Sequence, residues 1–409
     1  MRLFTKLNHF KKIKSLVSNK SVLVAIFILL PIAAGVQSYV NSSGAAKTGP
    51  YTVDNSTRYN NYVIFAKSFY HLVHNQDLYV SYPSEHWDLF KYTPTFAAFF
   101  GIFAFLPDWL GLNLWDLLNA FIFLLAVFYL PGLTNYKKGL VLIICAIELL
   151  TSIQNEQSNG LVAGLLILSF GLMEKKKYFL SVFCIVFSAY IKLFGIVGCA
   201  LFLFYPKKWK TASYFVFWMA ALFLLPLLFV GPDQYAHLWQ SYRNLLSHDF
   251  SGSEGVSVLG WLHSWFGLEP DKSLVVMLGA TVFLIPIYRI KQYQNPAFRM
   301  LALASILLWI VIFNHKAESP TFIIAMAGVA LWFVTTRLTV FDKILFTLAI
   351  VFTVVSPTDV FPRFLRDHFV RPYSLKAFPC IVIWVKIIYD MIVVKEDTLT
   401  FQPQIAPKA

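Results

Sequence analysis

Apolar runs of near-bilayer length follow one another along almost the whole chain, and nothing else in the sequence constrains the fold as strongly. They lie near 21–40, 93–106, 114–130, 139–153, 160–173, 178–190, 193–205, 212–230, 272–288, 299–313, 320–336, 343–356 and 377–394. A span needs roughly 20 mostly apolar residues. About a quarter of the residues in soluble domains are charged, against 13% here, and this leaves no room for a large soluble domain in 409 residues. The expectation is an all-α polytopic membrane protein with about 11–13 transmembrane helices. A basic cytoplasmic N-terminus fills 1–20, a single transmembrane domain 21–394 and a cytoplasmic tail 395–409.

The net charge of +13 does not point to nucleic acid, because Lys and Arg fall in short clusters between apolar runs. That is the pattern of cytoplasmic loops. Arg2, Lys6, Lys11, Lys12, Lys14 and Lys20 precede the first run, and the many runs that follow make it an uncleaved signal-anchor. Lys175–Lys177, Lys207, Lys208, Lys210, Arg289 and Lys291 then belong to the cytoplasm, and the joints at 154–159, Lys192, 231–271 and 314–319 to the outside. Three full spans between 93 and 153 break this parity, so one short segment there is expected not to cross. A second irregularity is 358–376, placed outside although it carries Arg363, Arg366, Arg371 and Lys376. Either a late span is miscounted or this basic loop meets phosphate. Cys145, Cys184, Cys199 and Cys380 all lie in apolar runs and read as packing residues.

The longest polar stretch is the first extracytoplasmic loop, 41–91. Tyr62, Phe65, Phe69 and Leu72 have helical spacing and a turn-rich piece follows from Tyr79 to Trp87, which predicts a loop with one or two short amphipathic helices on the membrane surface.

Three places outside the bilayer carry chemistry. Lys192 stands alone between apolar runs; it either snorkels to the interface or binds a phosphate, and its isolation from any basic cluster favours the second. Six polar residues, Gln154-Asn155-Glu156-Gln157-Ser158-Asn159, precede Gly160, and amides with a carboxylate at a bundle mouth suit sugar hydroxyls. His315, Lys316 and Glu318 cluster before Ser319-Pro320, either as a loop salt bridge or as part of a site. Soluble catalytic signatures, metal-ligand spacings and cofactor motifs are missing from the sequence, so neither metal nor cofactor is expected.

The order of Asp77-Leu78-Tyr79, Tyr92-Thr93-Pro94, Gln157 with Asn159, Lys192 and Ser319-Pro320 resembles the GT-C class of membrane glycosyltransferases, specifically glycosyltransferase family 87. That family includes polyprenol-phosphate-mannose-dependent α-mannosyltransferases, and a more distant likeness is to the first mannosyltransferase of GPI-anchor assembly. The resemblance implies a GT-C-like helix bundle. It also implies inverting transfer of a hexose, by the family's example mannose, from a polyprenyl-phosphate donor to a glycan or glycolipid acceptor on the extracytoplasmic face. The family's distribution favours a bacterial plasma membrane.

Where such enzymes carry an acidic base early in the first loop, this chain has Asn61. An amide takes no proton near neutral pH, so Asp54, Glu156 and Glu318 are the substitute candidates. Tyr92, Gln157, Asn159, Lys192, His315 and Lys316 are the expected substrate-binding residues. The partners implied are the lipid-linked donor, the acceptor and membrane lipids. Two rivals stand beside this reading: a transporter or flippase of polyprenyl-linked sugars, although the chain has no convincing internal repeat, and a non-catalytic scaffold of the same fold, which Asn61 keeps open.

Overall fold

A computed structural model describes residues 11–42, 59–249 and 253–393; these are predominantly helical and contain no strand. Asp54 lies outside the described residues, as do most of the basic N-terminus and the tail after 393. In chain order the main helices are α1 Lys20–Ser42, α2 Asn60–Val73, α3 Pro94–Ala104, α4 Asp108–Tyr129, α5 Asn135–Ile153, α6 Asn159–Glu174 and α7 Tyr178–Ile191. After a 3-10 helix, Leu193–Phe204, come α8 Lys208–Leu224, α9 Pro232–Asp249, α10 Val258–Phe266, α11 Lys272–Leu284, α12 Pro296–Ile312, α13 Phe322–Thr335, α14 Val340–Leu348 and α15 Phe378–Val393.

Among the described residues, three helical stretches, α1, α4 and α8 with its continuation to Leu228, are long and apolar enough to cross a membrane; seven others are apolar but shorter. Helices that are apolar all round need enclosure, and α6, α12 and α13 are buried on nearly every face. They form the centre, with α12 against α13, α4 and α7 against α6, and α5 against α13. Backbones approach closely where side chains vanish. A Cβ on Gly328 would stand 2.6 Å from the carbonyl oxygen of Ala304.

Side-chain contacts sort the segments to two ends of this bundle. At the basic end, Lys175 lies 3.3 Å from the centre of the Tyr129 ring, and Arg299 grips Glu174 at 2.6 and 2.7 Å while the Tyr205 hydroxyl donates to the same carboxylate. At the opposite, site end, Asn61 meets Asn155, the Tyr59 hydroxyl donates to Asp108, and the Thr93 hydroxyl donates to the carbonyl of Tyr190. The helix α3 both starts and hands over at this end. Its 11 residues reach about 16 Å, roughly half the hydrocarbon core, before Pro107 turns the chain into α4. Of the helices between 93 and 153, α3 is therefore the one too short to span the hydrocarbon core by itself.

The loop helix α2 also departs from expectation. Tyr62, Phe65, Phe69 and Leu72 are buried, but against protein: Phe65 packs edge-on to Phe96 and Trp115, and the Tyr62 hydroxyl reaches the Phe103 carbonyl. Its apolar stripe faces α3 and α4 instead of lipid.

Candidate functional site

Local backbone chemistry builds the site end. The last turn of α5 closes with the Gln157 N–H on the Ser152 carbonyl (3.0 Å) and the Glu156 N–H on the Ile153 carbonyl (2.8 Å). That closure calls for a left-handed residue, normally glycine, and Glu156 takes it with φ 49°. The turn delivers Gln157 to the surface of the bundle and starts α6 at Asn159. Across from it, α7 ends at Lys192, whose extended backbone (φ −135°, ψ 122°) separates α7 from the 3-10 helix that follows.

Lys192 Nζ donates to Gln157 Oε1 at 2.9 Å and to Asn159 Oδ1 at 2.8 Å, with the Tyr92 and Phe194 rings 5.7 and 5.8 Å away. Neutral amide oxygens hold the ammonium without cancelling its charge, and one of its three N–H groups is left for a ligand. Lys192 lies in the joint, outside either helix. Burial pushes its ammonium down to about 8, and the charge of Glu318 opposes that shift. Glu318 is exposed, acts electrostatically on both Lys192 and Tyr92, and makes no ion pair with Lys192 among the described contacts. The charge of Glu318 is thus felt at both the Lys192 cation and the Tyr92 ring.

The other expected residues are placed differently. Glu156 is 2% exposed and accepts the Ser38 hydroxyl at 3.3 Å; burial pushes its carboxyl up to about 9. Its charged neighbour is Asp116, and Lys192 is not among the groups acting on it. Asn61 is half-buried and donates from Nδ2 to the Asn155 carbonyl at 2.8 Å, pinning α2 to the amide-rich joint. His315 and Lys316 are half-buried on the turn that carries Glu318, which is tied down by the Val256 N–H on the Ala317 carbonyl (2.8 Å). Asp77 accepts from Ser241 at 2.7 and 2.9 Å and so anchors α9, while the Tyr79 hydroxyl donates to the Tyr92 carbonyl at 3.0 Å. That pair of residues positions Tyr92.

One group was not anticipated. Lys376 is buried and donates to both oxygens of Glu148 (3.0 and 3.1 Å) and to Ser319 Oγ (2.8 Å), beside Glu318 in the chain. A carboxylate within the apolar run 139–153 was the available signal.

A bundle of apolar helices, several long enough to cross a membrane, is the architecture of an integral membrane protein. The class can be named. The model of glycosyltransferase family 87 matches residues 90–313, just over half the chain, and the chain belongs to that family. It is a membrane glycosyltransferase, and the GT-C-like expectation agrees with this. Tyr92, Gln157, Asn159 and Lys192 fall inside the matched stretch; Asn61 and Glu318 fall outside it. A comparison with curated proteins gives no match.

Proposed function

We propose that this protein transfers a hexose, mannose by the family's example, from a polyprenyl-phosphate donor to a glycan or glycolipid hydroxyl on the extracytoplasmic face of a bacterial inner membrane. The observation that carries the proposal is the half-buried Lys192, held by two neutral amides and within the electrostatic reach of Glu318. Lys192 takes the donor phosphate and stabilises the negative charge that grows on it as it leaves. Glu318 accepts the proton of the acceptor hydroxyl. The acceptor oxygen bonds to the anomeric carbon from the face opposite the phosphate, the bond from that carbon to the phosphate oxygen breaks with its electron pair, and the configuration inverts. Tyr92 offers an aromatic face to the sugar, and Gln157 and Asn159 supply amides to its hydroxyls. His315 and Lys316 extend the polar rim.

The clustering of Lys175, Lys176, Lys177 and Arg299 supports a cytoplasmic basic end, with the site end outside and about twelve crossings between them. The test is transfer of radiolabelled sugar from a polyprenyl-phosphate donor in proteoliposomes, with Lys192→Ala as the control. Product that depends on Lys192 is expected. Movement of unchanged lipid-linked sugar indicates the transporter reading, and neither activity indicates a scaffold.

A further inference from the structure

Beside the joint that carries Gln157, the inner face of α1 meets two carboxylates that no basic side chain among the described residues balances. Asp116, on α4, is 1% exposed and Glu156 2%. Among the described residues, the charge acting on Asp116 is that of Glu156, and the hydrogen-bond partner of the Glu156 carboxylate is the Ser38 hydroxyl. Ionising both of two buried carboxyls without a counter-ion is costly at membrane depth. Asn113 donates from Nδ2 to the Trp109 carbonyl, which turns its Oδ1 inward; that oxygen and Asp116 Oδ1 are both buried and have no hydrogen-bond donor. A Cβ on Gly35 would stand 2.8 Å from Asn113 Oδ1 and 3.0 Å from Asp116 Oδ2, so glycine lets both oxygens pack against the backbone of α1. Ser38 lies one turn further along the same face of α1.

We propose that Asp116, Glu156, Asn113 and Ser38, around Gly35, bind a hard divalent cation such as Ca2+ or Mg2+ at the site end. The donors are all oxygen, which suits these ions over Zn2+ or Cu2+. Two carboxylates match the charge of one divalent ion. The cation ties α1 and α4 to the joint that carries Gln157 and Asn159, and so holds the amides that orient Lys192.

Full-length protein in nanodiscs, stripped with a chelator, is titrated with Ca2+ and Mg2+ by calorimetry and with Tb3+ by sensitised luminescence. Trp115 donates from Nε1 to the Glu156 carbonyl and is the local sensitiser. One saturable site is expected, with Tb3+ displaced by Ca2+. Asp116→Asn and Glu156→Gln should each weaken binding about tenfold or more. Gly35→Ala displaces the Asn113 and Asp116 oxygens without changing charge and should do the same; monodispersity and the thermal midpoint in chelator show whether each variant is folded. The cluster Glu254, His263 and Glu269, with ligand atoms within 4.8 Å of one another, is the competing cation site. Binding lost in His263→Ala but kept in the Asp116→Asn, Glu156→Gln double variant overturns the proposal. So does absence of saturable binding together with a protonated-carboxyl infrared band that disappears in Asp116→Asn. None of these readouts needs the sugar donor, so they stand apart from the test of transfer.

Discussion

Replacing Lys192 by arginine should change the pH dependence of transfer as well as its rate. Burial brings the Lys192 ammonium from its ordinary 10.5 to about 8, which corresponds to about 3 kcal/mol disfavouring the charged form. At that value about 90% of the free enzyme is charged at pH 7 and about 10% at pH 9. Because kcat/KM reports groups of the free enzyme, it should fall about tenfold across that interval, measured with a short-chain polyprenyl-phosphate sugar in detergent. Arginine stays charged throughout, so Lys192→Arg should lose the basic limb even where its absolute rate is lower. Lys192→Ala should cost on the order of 10²–10³ in kcat. The stability sign runs the other way. The folded value lies below the unfolded one, so between about 8 and 10.5 the unfolded chain binds the extra proton and the substrate-free protein gains stability as pH rises. Activity and this contribution to stability should therefore diverge above pH 8. A Lys192→Arg enzyme that keeps the limb near 8, or a Lys192→Ala enzyme with near-normal turnover, refutes the phosphate role.

Glu318→Gln should lower kcat by about 10²–10⁴ with little change in thermal midpoint, because the side chain is exposed; wild-type kcat in that variant returns the base to Asp54 or Glu156. Lys376→Met alone should destabilise the protein by about 3–5 kcal/mol by leaving Glu148 buried without its cation, whereas Glu148→Leu with Lys376→Met should cost much less. Equilibrium unfolding in SDS measures this, and strictly additive single effects refute the pairing. Single cysteines at Trp87 and Gln154, both exposed, should react with an impermeant maleimide from one side of the membrane, and one at Lys176 from the other. Labelling of Trp87 and Gln154 from opposite sides refutes the reading of α3 as a segment that does not cross.

Which parts of this arrangement were legible follows from what local pattern encodes. Apolar runs announced the helices, and polar residues interrupting them announced Lys192 and its two amides. The α3 run, however, is as apolar as a span; only the bounding Pro94 and Pro107 limit its helix, and composition does not distinguish a helix that crosses from one that returns. The α2 stripe encoded which face is buried but not the surface it meets. Glu148 and Lys376 are 228 residues apart, so their pairing exists only once α5 and the start of α15 are brought to one end. The nearness of Glu318 to Lys192 likewise depends on the turn between α12 and α13 reaching the mouth of α7.

Asn61 shows how far the remaining ambiguity yields to geometry. The resemblance alone makes it a lost base, and the natural repair is Asn61→Asp. In the folded chain, however, its Nδ2 donates to the Asn155 carbonyl at 2.8 Å. A carboxylate there would set an oxygen against an oxygen and remove a bond worth about 1 kcal/mol. The loosened element is the one that carries Gln157 and Asn159 to Lys192. Asn61→Asp should therefore lower kcat/KM and the thermal midpoint together, and Asn61→Ala should do so to a similar or smaller degree. If Asn61→Asp instead raises kcat while Glu318→Gln leaves it unchanged, the proton is taken at position 61 and Glu318 is not the base.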